Sequence, residues 1–188
     1  MEKTGEVKTA GSIKTVDMVY IAIGAALIAI CSWISIPMTV PFTLQTFAVF
    51  FVLLTLGGEK GTICAAVYVA MGAVGLPVFA GFKGGIGVLF GSTGGYILGF
   101  ILMGLLYMII TKIFGEKTIV TIVALVLGLI VCYAFGTAWF MYIYIRDTGA
   151  VGIATVLSWC VLPFVIPDLV KMALAVLVSG RVRHAIRN

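Results

Sequence analysis

Residues 18–58, MVYIAIGAALIAICSWISIPMTVPFTLQTFAVFFVLLTLGG, contain no charged side chain. A membrane-crossing helix takes about 20 apolar residues, so this one run is long enough for two. The divide falls in Ile36-Pro37-Met38-Thr39-Val40-Pro41, because proline removes a backbone donor and disfavours helix in the residue before it. Charge-free runs follow at 61–82, 84–111 and 118–145, and after Asp147 only Asp168 and Lys171 interrupt an apolar stretch that lasts to Gly180. The pattern predicts an all-α polytopic membrane protein with six transmembrane helices near 18–36, 42–57, 61–79, 95–113, 119–145 and 151–179.

Composition agrees. Of 188 residues, 62% are hydrophobic and 10% are charged, against about 25% charged in a soluble domain, and the mean hydropathy is +1.24. Too few polar groups remain to cover a soluble surface, which excludes a soluble enzyme, a disordered chain and a nucleic-acid-binding domain. The net charge of +5 does not change this, because the basic residues sit at the ends and in short loops. Six spans nearly exhaust the length and leave one membrane-embedded domain over 1–188, with a polar leader at 1–17 and a basic tail at 180–188. The leader is long for a signal peptide and five more spans follow, so no cleavage is expected. Six spans put both termini on one side. That side collects Lys3, Lys8, Lys14, Lys60, Lys112, Lys117, Arg181, Arg183 and Arg187, and the other holds Lys83 and Arg146. Basic flanks mark the cytoplasmic side, so both termini are expected there. Trp139, Tyr142 and Tyr144 then fall in an outer aromatic belt.

Four scattered cysteines (Cys31, Cys64, Cys132, Cys160) form no C-x-x-C pair and read as small buried hydrophobes. The single histidine, His184, sits in the basic tail and is expected among lipid headgroups, with no partner for a metal site. Neither a metal nor another cofactor is expected.

Asp168 and Lys171 are the only ionisable residues well inside an expected span. Charges there are costly and mark functional sites, and the i, i+3 spacing puts the two on one helix face. They follow Pro163 and Pro167, which predict a break near 163–167 and a half-helix starting at Pro167. Asp168 would then meet the helix dipole in the first turn. The pair either neutralises itself within the bundle or offers an acceptor and a cation to a ligand. A glycine-rich tract runs from Gly72 to Gly99, with small-xxx-small spacing at Gly87/Gly91, Gly91/Gly95 and Gly95/Gly99. It allows close helix crossing or, around Gly81, close approach of backbone to a ligand. Gln45 either bonds a neighbouring helix or reaches the same cavity. In the first span, Ala22/Ala26 and Ala25/Ala29 form a stripe suited to close helix contact, internal or with another membrane protein.

Four motifs, Pro41-Phe42-Thr43-Leu44-Gln45-Thr46, Gly75-Leu76-Pro77-Val78-Phe79-Ala80-Gly81, Gly94-Gly95-Tyr96-Ile97-Leu98-Gly99-Phe100 and Pro167-Asp168-Leu169-Val170-Lys171, occur in order over nearly the whole chain. In this the sequence resembles the BioY family, the biotin-specific S components of energy-coupling-factor (ECF) transporters. Ser92 stands where the family's Gly-Pro-Thr-Gly-Gly has proline. The resemblance implies an outward-facing biotin site without enzyme activity, in the cytoplasmic membrane of a bacterial cell. It also implies partners: a transmembrane coupling protein bound to two ATPase subunits. Ala22 and Ala26 match the family's docking stripe. Asp168 would accept from ureido N–H groups, and either Lys171 or Lys83 would meet the carboxylate. Phe79, Tyr96, Tyr142 and Trp159 would wall the apolar ring, and the 37–42 loop would lid the site. A different small vitamin, or a free-standing secondary transporter, is the alternative.

Overall fold

The computed structural model describes residues 14–187. Residues 1–13, which hold most of the leader with Lys3 and Lys8, and Asn188 lie outside the described residues, as does the side chain of His184. The first helix, α1, spans Thr15–Trp33. Two short antiparallel strands follow, β1 (Ser35–Ile36) and β2 (Phe42–Thr43), with Ser35 opposite Thr43 and Ile36 opposite Phe42. The helices after them are α2 (Gln45–Ala73), α3 (Ile86–Leu89), α4 (Gly94–Phe114), α5 (Thr118–Asp147), α6 (Ile153–Cys160) and α7 (Leu162–Arg187). The helical class is as expected, apart from the small hairpin, whose turn holds both Pro37 and Pro41.

The second and third expected spans are the two arms of α2. At Gly57 the backbone leaves the helix (φ 85°, ψ 169°), a conformation open mainly to glycine, and the chain reverses. The Gln45 amide therefore reaches the Tyr68 hydroxyl at 3.0 Å, and a Cβ on Gly61 would sit 2.8 Å from the Leu53 Cα. The second arm stops at Ala73, earlier than expected. From there the chain enters a loop closed by Phe79 N–H to the Lys83 carbonyl (2.9 Å) and Gly85 N–H to the Gly72 carbonyl (2.7 Å). Among the described residues, five helical stretches are long and apolar enough to cross a membrane: α1, α2, α4, α5 and the α6–α7 stretch Ile153–Arg183. With α2 folded in two they form six segments.

Glycines set the α4–α5 crossing. A Cβ on Gly99 would meet the Cys132 Sγ at 2.8 Å, one on Gly95 the Trp139 Cβ at 2.3 Å, and one on Gly136 the Tyr96 ring at 2.2 Å. Gly87 meets nothing within 4 Å, so the stripe works as a crossing only in its later half. The alanines of α1 divide similarly. Ala25 and Ala29 are buried, whereas Ala22 and Ala26 are exposed on the outer face. All four cysteines are buried and free.

The break before α7 differs from the expected one. The chain leaves the helix at Val161 (φ −124°, ψ −58°), and Phe164 N–H and Val165 N–H already bond the Val161 carbonyl at 2.9 and 3.2 Å. Pro163 thus occupies the first turn of α7, where its missing donor costs nothing, and Pro167 lies inside the helix. Asp168 is not in the first turn, so side chains rather than the helix dipole must compensate its charge.

Ion pairs mark one end of the bundle. Lys60 meets Asp17 at 2.5 Å, Lys112 approaches Glu59 at 4.0 Å, and Arg183 pairs with Glu116. The described chain ends therefore lie together, beside the Gly57 and Gly115 turns. The β-hairpin, the 74–93 loop and the 148–152 connection form the opposite end.

Candidate ligand-binding site

A cavity of about 260 Å³ opens at the hairpin end, near the lower size of small-molecule sites. The hairpin turn covers it with Met38, Thr39, Val40 and Pro41. Its walls are largely apolar: Phe79 from the loop, Ile97 and Phe100 from α4, Leu129 from α5 and Phe164 from α7.

The polar floor centres on Asp168, which is 2% exposed. Its Oδ1 accepts from the Thr46 hydroxyl at 2.8 Å and the Lys171 ammonium at 2.8 Å. Its Oδ2 accepts from the Tyr133 hydroxyl at 2.5 Å. Lys171 also donates to the Thr43 carbonyl at 2.6 Å and the Thr46 Oγ1 at 3.1 Å, and lies 4.2 Å from the centroid of the Phe42 ring. An ammonium has three donors, and all three are used. A carboxylate has about four acceptor sites. Three are filled, and the vacant one is on Oδ2. A buried carboxylate and ammonium at this depth are tolerated because each is paired and hydrogen-bonded.

The cavity brings together Asp168, Lys171, Gln45, Phe79, Tyr96 and Lys83. Lys83 is exposed and carries no ion pair among the described residues. Tyr96 is fixed by a 3.0 Å bond to Thr137. Three expected residues are elsewhere. Tyr142 is 67% exposed, because the buried stripe of α5 runs through Leu129, Cys132, Gly136, Phe140 and Ile143 and leaves it outside. Trp159 is 37% exposed and lies against Tyr144, since α6 buries Val156 and Cys160 instead. Gly81 forms the loop bend (φ 70°), but its neighbours Ala80 and Lys83 reach the cavity and it does not.

Tyr133, Thr43, Thr46, Phe100 and Phe164 were not anticipated as site residues. Thr43 and Thr46 lie within the Pro41–Thr46 motif. Tyr133 adjoins the α5 stripe and touches both hydrophobic clusters of the fold. Cys132 and Cys160 fulfil their packing role and also form part of the wall.

The BioY family profile matches residues 3–188. The chain belongs to the BioY family. It is 41% identical over 168 residues to the biotin transporter BioY of Thermotoga maritima, covering 89% of this chain and 95% of that protein. It is 36% identical over 173 residues to a probable biotin transporter BioY of Pyrococcus horikoshii, covering 91% and 98%. Among solved structures, the S-component for biotin from an ECF-type ABC transporter superposes with a TM-score of 0.79 at 25% identity, covering 94% of this chain and 95% of that one. BioY membership and the six-segment bundle together make this a multi-pass membrane protein.

Proposed function

We propose that this BioY protein binds biotin in the hairpin-end cavity and delivers it across the cytoplasmic membrane of a prokaryotic cell, as the S component of an ECF transporter. It has no catalytic role of its own. ATP hydrolysis belongs to two partner ATPase subunits, reached through a transmembrane coupling protein that docks on the exposed Ala22/Ala26 face of α1. Lys14, Lys60, Lys112, Lys117, Arg181 and Arg183 lie at or beside the end opposite the cavity. Basic flanks of this kind mark the cytoplasmic side, so the cavity faces outward.

The observation that carries the reading is a buried carboxylate with one vacant acceptor site under apolar walls. Biotin supplies ureido N–H donors, an apolar thioether ring and a carboxylate. One ureido N–H takes the vacant position on Asp168 Oδ2. The second goes to the Gln45 side-chain carbonyl, and Phe79, Phe100 and Phe164 enclose the rings. Since every Lys171 donor is engaged, the ligand carboxylate belongs with Lys83 at the mouth.

Calorimetric titration of biotin into the purified, detergent-solubilised protein tests this, with riboflavin and thiamine as controls. Tight one-to-one binding of biotin alone is expected without ATP. A folded sample that ignores biotin, or prefers another vitamin, refutes the proposal.

A further inference from the structure

We infer that Trp33 and Phe82 form an aromatic clasp that positions Lys83 at the cavity mouth, and so sets the preference for a ligand with a free carboxylate. The inference rests on the reading of Lys83 above and deepens it.

Trp33 is the last residue of α1 and holds the 74–93 loop on both sides of its bend. Its indole N–H donates to the Pro77 carbonyl at 2.8 Å, and the neighbouring Ser32 hydroxyl donates to the Val78 carbonyl at 2.5 Å. Beyond the bend, the Phe82 ring stacks on the Trp33 indole, with centroids 5.1 Å apart and planes inclined at 25°. The backbone between these anchors is demanding. Gly81 (φ 70°) and Phe82 (φ 56°) are both left-handed, whereas two successive positions of that kind ordinarily take glycine, asparagine or aspartate. Phe82 is the one non-glycine residue with positive φ among the described residues. A bulky side chain in that region is strained, and it persists only where its surroundings over-determine it. No buried core holds Phe82: it is 64% exposed and lies outside both hydrophobic clusters. The bond from Phe79 N–H to the Lys83 carbonyl closes the bend but engages neither the backbone nor the ring of Phe82. The stack on Trp33 is what offsets the strain. Its consequence falls on the next residue. With the Phe82 ring drawn toward α1 and out of the cavity lining, Lys83 enters that lining.

The test compares the affinity ratio of biotin to biotin methyl ester, by calorimetry, in samples shown by thermal melting to be folded. Trp33→Leu removes both the indole N–H and the stacked ring, and should narrow the parent's ratio at least about threefold, as expected for coupled neighbours. In a Lys83→Met background, Trp33→Leu should leave the ratio where Lys83→Met alone puts it. A ratio that Trp33→Leu does not change, or narrows equally with and without Lys83, means that the pair only packs the loop, and overturns the inference. Should Trp33→Leu not fold, Phe82→Ala removes the exposed half of the same pair and is read by the same ratio with the same outcomes. If Lys83→Met itself keeps the parent's ratio, the reading of Lys83 falls and this inference with it. A parent that ignores biotin overturns the function itself.

Discussion

Removing Lys171 alone should destabilise the protein more than removing Lys171 and Asp168 together. The side chains are 7% and 2% exposed and 2.8 Å apart. Lys171→Met keeps most of the apolar stem and deletes the cation. Asp168 then retains hydroxyl donors from Thr46 and Tyr133 but has no counter-charge. Breaking a buried pair from one side costs about 3–5 kcal/mol, whereas replacing both members with uncharged groups of similar volume is often near neutral. At about 2–4 °C per kcal/mol for a chain of this size, Lys171→Met should melt about 6–20 °C below the parent. The double variant Lys171→Met/Asp168→Asn should recover most of that loss. The assay is thermal melting of the detergent-purified protein without biotin, followed by tryptophan fluorescence. Binding should sort the same variants differently. Asp168→Asn stays folded, since its carbonyl still accepts from Lys171, but it loses a hydrogen bond to a charged group worth about 1.5–3 kcal/mol. That corresponds to roughly 10- to 150-fold in affinity, and the double variant should bind no better. A Lys171→Met that melts with the parent, or a double variant as unstable as the single, would show that Lys171 does not hold the Asp168 charge. Parental biotin affinity in Asp168→Asn would remove Asp168 from the site.

Lys83→Met should weaken biotin about tenfold, equivalent to about 1.4 kcal/mol, and leave biotin methyl ester unaffected; equal losses for both would dissociate Lys83 from the carboxylate. Ala22→Trp and Ala26→Trp lie on the exposed face of α1 and should spare biotin binding while abolishing co-purification with the coupling protein. Intact complexes in both would return those alanines to lipid contact. Ala25→Trp, at a site 1% exposed, should instead prevent folding. Gly94→Ala should also reduce the yield of folded protein, because its Cβ would lie 1.7 Å from the Leu89 carbonyl oxygen, which belongs to backbone and cannot rotate away. Parental yield and melting would show that the α3–α4 junction can open.

The membrane class was legible because charge is easy to count, and the pair at 168 and 171 because two ionisable groups stand out in an apolar span. What escaped depends on phase and backbone geometry. Tyr133 and Tyr142 look alike in sequence, and Tyr142 sits nearer the expected outer end. At roughly 100° per residue, an offset of nine residues places the two on opposite sides of α5. Only knowledge of which face is buried chooses Tyr133. The reversal between the arms of α2 was legible, since the charges at Glu59 and Lys60 separate the expected spans 42–57 and 61–79, but that Gly57 carries it was not, because one glycine among 23 bears no mark that its φ is positive. The break before α7 was misplaced because Pro163 and Pro167 look like the breakers. Proline is tolerated in a first turn, however, so the helix restarted ahead of both.

A buried ion pair is a weak source of stability, and its geometry suggests what else it does here. Thr43 and Thr46 belong to the segment that leaves the hairpin lid and begins α2, Tyr133 to α5, and the pair itself to α7. Each of these elements lines the cavity, and each is tied to the others through one carboxylate and one ammonium. An apolar contact in the same place would hold the elements together without fixing the direction of a lone pair. The carboxylate does both: its occupied positions tie three walls of the cavity together, and they leave one position on Oδ2 vacant. The lid turn enters the same network within two residues, from Pro41 to the Thr43 carbonyl that accepts from Lys171. A double variant that melts like the parent yet cannot bind would separate these roles. It would show that the pair is retained for the direction of its hydrogen bonds rather than for the energy of its charges.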